Sequence, residues 1–320
     1  MRRRNLFAVS IAPGTVLAEA PSTALAATAA PPLLVDQWIN VPRLEHAALR
    51  GKVSLVNFWT YSCINAQRTL PYLRRWNEEY GALGLQIIGV HTPEFAFEHL
   101  RANVEHAVLE LGVRFSVGQD NGYRTWRAWQ NRAWPTFYLV DRDGRVRTAF
   151  EGEGHALEME RIIRSMLGLS SEITPRQPPD DADLSHIRSP EVYFGALRQT
   201  AQEPGQSPRR GSAPYAFSQA GPRLNRYELD GVWHREDEAL ILRSSRGGLR
   251  MSYSAAKLHL VAAASAPVRL HVGPSATNSA DLRIDRPGLY TAVDGNIHGE
   301  KLTEIEVLSP GLALYSATFG

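Results

Sequence analysis

The sequence predicts an α/β domain followed by an all-β domain, and three observations lead there. Between residues 53 and 167, apolar segments alternate between strand-like runs and helical spacing. From 171 to 214 the chain is broken by Pro175, Pro178, Pro179, Pro190, Pro204, Pro208 and Pro214, which read as a linker. Beyond about Tyr215 the apolar residues keep only the period of two that belongs to strands. The expected division is therefore a leader over 1–31, an α/β domain over 32–168, a proline-rich linker over 169–214 and a β sandwich or jelly roll over 215–320.

Taken in order, Arg2, Arg3 and Arg4 form a positive start, Leu6 to Leu17 a short apolar stretch, and Ala18-Glu19-Ala20 and Ala24-Leu25-Ala26 small-residue cleavage patterns. This reads as an export signal with a loose twin-arginine likeness, or else as a disordered Ala/Pro/Thr-rich leader. Val53 to Trp59 is β-branched and aromatic, a buried strand. Asn65 to Tyr80 has helical spacing, with Leu70, Leu73 and Trp76 on one face and Pro71 as a kink. Leu85 to Val90 is a second strand, and Phe97, Leu100, Val104, Val108 and Leu111 mark a second helix. Phe137 to Val140 is turned by Asp143-Gly144 into a strand at Arg145 to Phe150, and Leu157 to Leu167 closes with a helix. The order β-α-β-α-β-β-α is that of a thioredoxin fold. In the second half, Leu249, Met251 and Tyr253, then Val268, Leu270 and Val272, then Ile305 and Val307, alternate with polar residues between glycine turns.

The 320 residues are 43% hydrophobic and 21% charged with a net charge of +2, and no basic run lies beyond the first residues. Nucleic-acid binding has no electrostatic footprint here. No stretch reaches the ~20 apolar residues of a membrane helix. A single cysteine, Cys63, rules out an internal disulfide.

Cys63 falls between the strand ending at Trp59 and the helix starting near Asn65. A thiol at a helix N-terminus faces unpaired N–H groups and the positive end of the dipole. The expectation is a partly exposed, nucleophilic cysteine with a lowered pKa. Trp134-Pro135, just before the strand at Phe137, is expected to be cis, to lie against Cys63 and to dock substrate backbone.

At Trp59-Thr60-Tyr61-Ser62-Cys63-Ile64-Asn65-Ala66, with Arg68-Thr69-Leu70-Pro71-Tyr72-Leu73, the sequence closely resembles the thioredoxin-like domain of DipZ-type cytochrome-c-biogenesis proteins, relatives of the TlpA and ResA reductases. His91-Thr92-Pro93-Glu94-Phe95-Ala96-Phe97-Glu98, Trp134-Pro135 and Gly152-Glu153-Gly154 belong to the same signature. Ser189-Pro190-Glu191-Val192-Tyr193-Phe194-Gly195 and the closing Ala317-Thr318-Phe319-Gly320 resemble that family's β-rich, carbohydrate-binding-module-like appendage. The resemblance implies thiol–disulfide exchange with protein thiols and disulfides, and the export signal implies a place outside the cytoplasm, in the periplasm or an equivalent space. The resemblance implies no cofactor, and an upstream membrane electron donor as a further partner. The family's membrane-embedded electron-transfer domain has no expected counterpart within these residues. One departure stands out: the family's Cys-x-x-Cys becomes Cys63-x-x-Ala66, so the resolving thiol is missing. A naturally monothiol protein, a protein that has lost activity and a substrate-trapping substitution all fit this change.

In the enzymatic reading Cys63 is the nucleophile, Trp59, Thr60 and Tyr61 shape its rim, and Trp134 and Pro135 bind substrate. Glu94 is either a proton relay or a helix cap. The rival reading is a redox-inactive protein whose groove binds peptides and whose β domain holds a glycan or a partner. The ten histidines do not cluster, no metal site is expected, and Asp180-Asp181-Ala182-Asp183 reads as solvated linker. Trp233, Tyr253, Tyr290 and Tyr315 are expected in the core rather than on a sugar platform.

Overall fold

The computed structural model describes residues 28–44, 49–170, 186–206, 208–273 and 281–320. The aspartate run at 180–183 and nearly all of the leader lie outside the described residues.

The first domain is built on a seven-stranded sheet. Its elements are β1 (Thr28–Ala29), β2 (Gln37–Ile39), β3 (Val53–Trp59), α1 (Ile64–Gln67), α2 (Leu70–Tyr80), β4 (Leu85–His91), α3 (Arg101–Glu110), β5 (Ser116–Gln119), α4 (Arg124–Ala128), β6 (Thr136–Val140), β7 (Arg145–Glu151) and α5 (Ala156–Leu167). The strand order is β1-β7-β6-β3-β4-β5-β2. β3 runs parallel to β4 and antiparallel to β6, so it lies at the centre with all seven residues buried. Both faces of the sheet are covered. Leu55 packs with Leu73, Trp76 and Ile163 on one side, and Val56 and Phe58 pack with Trp129 and Tyr138 on the other. That double burial is why β3 is an unbroken apolar run rather than an alternating one.

This is the thioredoxin fold expected, with β1, β2, β5 and α4 added and the first helix divided. β1 begins at Thr28 and pairs with β7, and Ala30 is buried, so the domain starts before residue 32. The first helix is two helices: α1 ends at Gln67 and α2 begins at Leu70, with Pro71 in its first turn, where a missing N–H costs nothing. β5, which carries the short apolar core pair Val117 and Gly118, was too brief to register as a strand.

The second domain is an antiparallel sheet of eleven strands curled toward a barrel. It comprises β8 (Val192–Tyr193), β9 (Gly211–Tyr215), β10 (Arg226–Arg235), β11 (Leu240–Leu242), β12 (Gly247–Ser254), β13 (Lys257–Ala264), β14 (Val268–Val272), β15 (Asp281–Ile284), β16 (Gly288–Asp294), β17 (Glu300–Val307) and β18 (Leu312–Phe319). The main path is β15-β14-β17-β12-β10-β11-β18-β13-β16, with β8 on β18 and β9 on β10. β10 turns the corner: Arg226–Asp230 pair with β12, while Gly231–Arg235 pair with β9. Gly231 sits at the junction with φ 94°, a conformation that suits glycine. Trp233 and Tyr253 are fully buried in this core, and Tyr290 packs against it.

Residues 186–206 and 208–214, within the segment expected to be linker, pack with the β domain. Val192 and Phe194 are core residues, and buried Arg235 donates from Nη2 to Gln202 Oε1 at 2.5 Å and from Nη1 to the Phe194 carbonyl. Prolines stop regular elements but do not prevent a chain from packing along an existing sheet.

Candidate functional site

The β domain docks on the face of the first domain that carries Cys63. Tyr315 sets its ring against Phe95 and Phe97 at 5.2 and 4.8 Å, and Val261 joins the core of the first domain. Arg68 donates to the Phe319 carbonyl at 3.0 Å and pairs with Glu153 at 3.1 Å. Ala96 N–H donates to Glu238 at 2.8 Å.

Cys63 is the N-cap of α1, with φ −83° and ψ 117°, and its N–H donates to the Thr60 carbonyl at 3.3 Å. The Gln67 side chain donates back to the Tyr61 carbonyl at 2.6 Å, closing the loop around the thiol. The sulfur-bearing residue is half-buried, in a cleft of about 270 Å³. One wall is Cys63, Asn65 and Arg68, and the other is Glu191, Thr318 and Phe319 of the β domain.

The lowered pKa expected of Cys63 is not what the surroundings produce. Burial beneath the β domain, then the carboxylates of Glu94 and Glu191, hold the thiol well above its ordinary value. Backbone N–H groups of Ala66 and Asn65 pull the other way and are outweighed. A helix of four residues has a weak dipole, and the sequence could not reveal that two acids would gather beside the sulfur.

Glu94 is neither an open relay nor a simple cap. Its Oε1 accepts from Tyr193 Oη at 2.9 Å and Arg198 Nη1 at 2.8 Å, both from the segment expected to be linker. Arg198 also lies 3.8 Å over the Tyr193 ring. Tyr193 Oη also lies 2.8 Å from Glu191 Oε2, so the phenol, with a single proton to donate to one of them at a time, stands between the two acids beside the thiol. Glu191 is exposed as a residue, but its carboxyl is turned into this interface, where desolvation and then Glu94 push it upward to about 8.

Trp59, Thr60 and Tyr61 do not form a rim, because all three are buried. Trp59 lies edge-on to His91, Tyr61 stacks on His91 at 5.6 Å, and Thr60 donates to Glu98 Oε1 at 2.5 Å. Trp134–Pro135 is cis. Its Trp134 ring packs on Trp126 at 4.5 Å, Pro135 is buried with its carbonyl accepting from Gly152 N–H at 2.8 Å, and neither residue lines the thiol cleft. Ala66 is fully buried.

Glu98 is the residue the sequence concealed. Fully buried, it accepts from Thr60 Oγ1, from Ser62 Oγ at 2.6 Å and N–H at 3.3 Å, and from the N–H groups of Glu94 at 2.5 Å and Phe95 at 3.0 Å. It ties the loop bearing Cys63 to the loop after β4. Desolvation raises its carboxyl to about 7, against the hydrogen bonds that lower it. A glutamate three residues after a helix N-cap is a capping signal, but phenylalanine at the cap position hid it. His91 is buried and held neutral, its pKa pushed down to about 3 by desolvation.

A thioredoxin fold with a half-buried cysteine between β3 and α1 defines a thioredoxin-like protein. Known proteins resemble parts of this chain. A model of the AhpC/TSA family matches residues 26–149, and one described as "Thioredoxin like C-terminal domain" matches 189–320. Protein DipZ of Mycobacterium tuberculosis and of Mycobacterium bovis is 32% identical over 302 residues, 89% of this chain and 42% of theirs. Thiol-disulfide oxidoreductase ResA of Bacillus anthracis is 26% identical over 39% of this chain and 69% of its own. Among solved structures, a thiol-disulfide isomerase from Corynebacterium glutamicum aligns at 24% identity and TM-score 0.38 over 44% of this chain and 98% of that one. The chain resembles the DipZ-type thioredoxin-like proteins over most of its own length, and it spans about two fifths of the length of the DipZ relatives it matches. Among the described residues no helix is long and apolar enough to cross a membrane.

Proposed function

We propose that the protein carries out thiol–disulfide exchange through Cys63 alone, outside the cytoplasm, on thiol and disulfide partners. The observation that carries this reading is a half-buried thiol at the α1 N-cap, opening into a cleft, in a chain with no second cysteine. The Cys63 thiolate attacks a disulfide, a Cys63–partner S–S bond forms, and the displaced sulfur leaves as a thiolate and takes up a proton. An outside thiolate then attacks the mixed disulfide, takes the partner's sulfur and returns Cys63. Because the thiol is held in its protonated form, attack accelerates as pH rises. Export is supported by the positive start and small-residue pattern of residues 2–26. A division at about 168, with the β domain taking up the chain from 186, fits the packing described above.

The test is Ala66→Cys. Position 66 lies one helical turn from Cys63, and a second thiol there attacks the mixed disulfide at high effective concentration. The protein as it stands should accumulate a mixed disulfide with glutathione and reduce insulin slowly. The variant should form an internal disulfide and turn over faster. If Cys63 forms no mixed disulfide and the variant no internal one, the redox-inactive partner-binding reading replaces this proposal.

A further inference from the structure

The cleft over Cys63 is built by both domains, and its charges are unevenly matched. Arg68, the cation on its wall, is committed to Glu153 at 3.1 Å and to the Phe319 carbonyl at 3.0 Å. Glu94, behind the thiol, is paired with Arg198 at 2.8 Å. Glu191 also lines the cleft, and among the described residues it has hydrogen-bond donors but no ion-pair partner at salt-bridge distance. The remaining walls are Ile64, Asn65, Ile187, Ser189, Thr318 and Phe319, which are neutral. A volume of about 270 Å³ lies just below the usual range for ligand pockets. It admits a molecule the size of a modified amino acid and leaves no room for a strand of a folded protein. The surfaces that would flank such a strand are already occupied: Tyr61 and Pro135 are buried, and β18 closes the cleft from above.

We propose that the Cys63 cleft selects low-molecular-weight disulfides whose half bears an ammonium group close to sulfur, with Glu191 of the β domain as the specificity-determining carboxylate. This rests on the exchange reading above and names its substrate class. An ammonium a few ångströms from the reacting sulfur would meet Glu191, favour its ionised form over the neutral one that burial favours, and pair with it. An anionic half would gain no such pairing and would hold Glu191 in the neutral form that burial and Glu94 already favour. In the step itself, the Cys63 thiolate and the incoming half form the new S–S bond, the old S–S bond breaks, and the other half leaves as a thiolate that takes up the proton Cys63 gave up.

The test measures rates of mixed-disulfide formation on the full chain by mass spectrometry. Four probes are used at one pH: cystamine, hydroxyethyl disulfide, dithiodiglycolate and an unfolded protein with intact disulfides. Each rate is divided by that of a free cysteine derivative with the same probe, which removes intrinsic reactivity. The normalised order should be cystamine, then hydroxyethyl disulfide, then dithiodiglycolate, with about twofold to fivefold between the first two, the size of one partly exposed charge pair. The unfolded protein should be slowest. Glu191→Gln should bring the normalised rates of cystamine and hydroxyethyl disulfide together, and Glu191→Lys should favour dithiodiglycolate. Equal normalised rates in the wild type overturn the selectivity while leaving the exchange reading intact. A protein disulfide reacting as fast as cystamine overturns the substrate class. No reaction with any probe removes the exchange reading itself, and this proposal with it.

Discussion

Glu98 should make the protein less stable as pH rises, and removing its charge should erase that loss. The carboxyl is fully buried and its pKa is raised from 4.5 to about 7, chiefly by desolvation. The folded state therefore holds this proton more tightly than the unfolded chain does. A carboxyl raised in this way adds nothing to stability above its folded pKa and costs most there; the cost is absent below about pH 4.5 and grows through about pH 7. At about 1.4 kcal/mol per unit of pH, the full rise amounts to about 3 kcal/mol, of which about 2–3 kcal/mol falls between pH 5 and pH 8. Glu98→Gln keeps the shape and an acceptor for the N–H groups of Glu94 and Phe95, and it cannot ionise. Urea unfolding of both proteins at pH 5 and pH 8 measures the effect. The variant should be close to the wild type at pH 5 and gain on it by about 2–3 kcal/mol at pH 8. His91, whose depressed pKa works in the opposite direction, is present in both proteins and drops out of the difference. A stability gap that does not change with pH, or that shrinks toward pH 8, would refute the reasoning.

Two further outcomes follow from the same geometry. Iodoacetamide should alkylate Cys63 at pH 7 about tenfold or more slowly than an unperturbed thiol, and the rate should still be climbing at pH 9, since burial, Glu94 and Glu191 all oppose the thiolate; a plateau reached by pH 8 would contradict this. Gly231→Val should destabilise the protein by roughly 2 kcal/mol or more, because a Cβ there meets Ser244 Oγ at 2.7 Å and the Arg246 carbonyl at 2.9 Å at a φ of 94°, and calorimetry showing an unchanged melting temperature would remove the corner assigned to β10.

The elements legible in the sequence are those whose pattern is local. Val53–Trp59 is apolar at every position because both faces of the sheet are covered, and its bounds can be read directly. Asp143-Gly144 makes its hairpin through local bonds: Asp141 accepts from the N–H groups of Asp143 and Arg145, and Gly144 takes φ 76°. The break between α1 and α2 was half legible: Pro71 announced a disturbance, but only packing decided that the chain would restart a helix at Leu70 rather than bend one. Cys63 itself was legible from its place after a strand and before a helix, and so was the loss of a second thiol at Ala66.

What the sequence by itself determined is therefore the two folds, their main strands and helices in order, and the place of the single thiol between β3 and α1. What only the tertiary structure decided is the environment of that position. Glu191, Tyr193 and Arg198 are about 130 residues from Cys63 along the chain, yet they and Glu94 form one cluster beside it because β18 and β8 dock over α1. Glu98 became a buried acid near neutrality, Trp59, Thr60 and Tyr61 became core, and the thiol was pushed up rather than down. The physical reason is one of range. Periodicity and turn chemistry act over a few residues and are written in neighbouring letters. Desolvation and charge proximity depend on which surfaces meet in space, and in this protein those surfaces belong to two different domains.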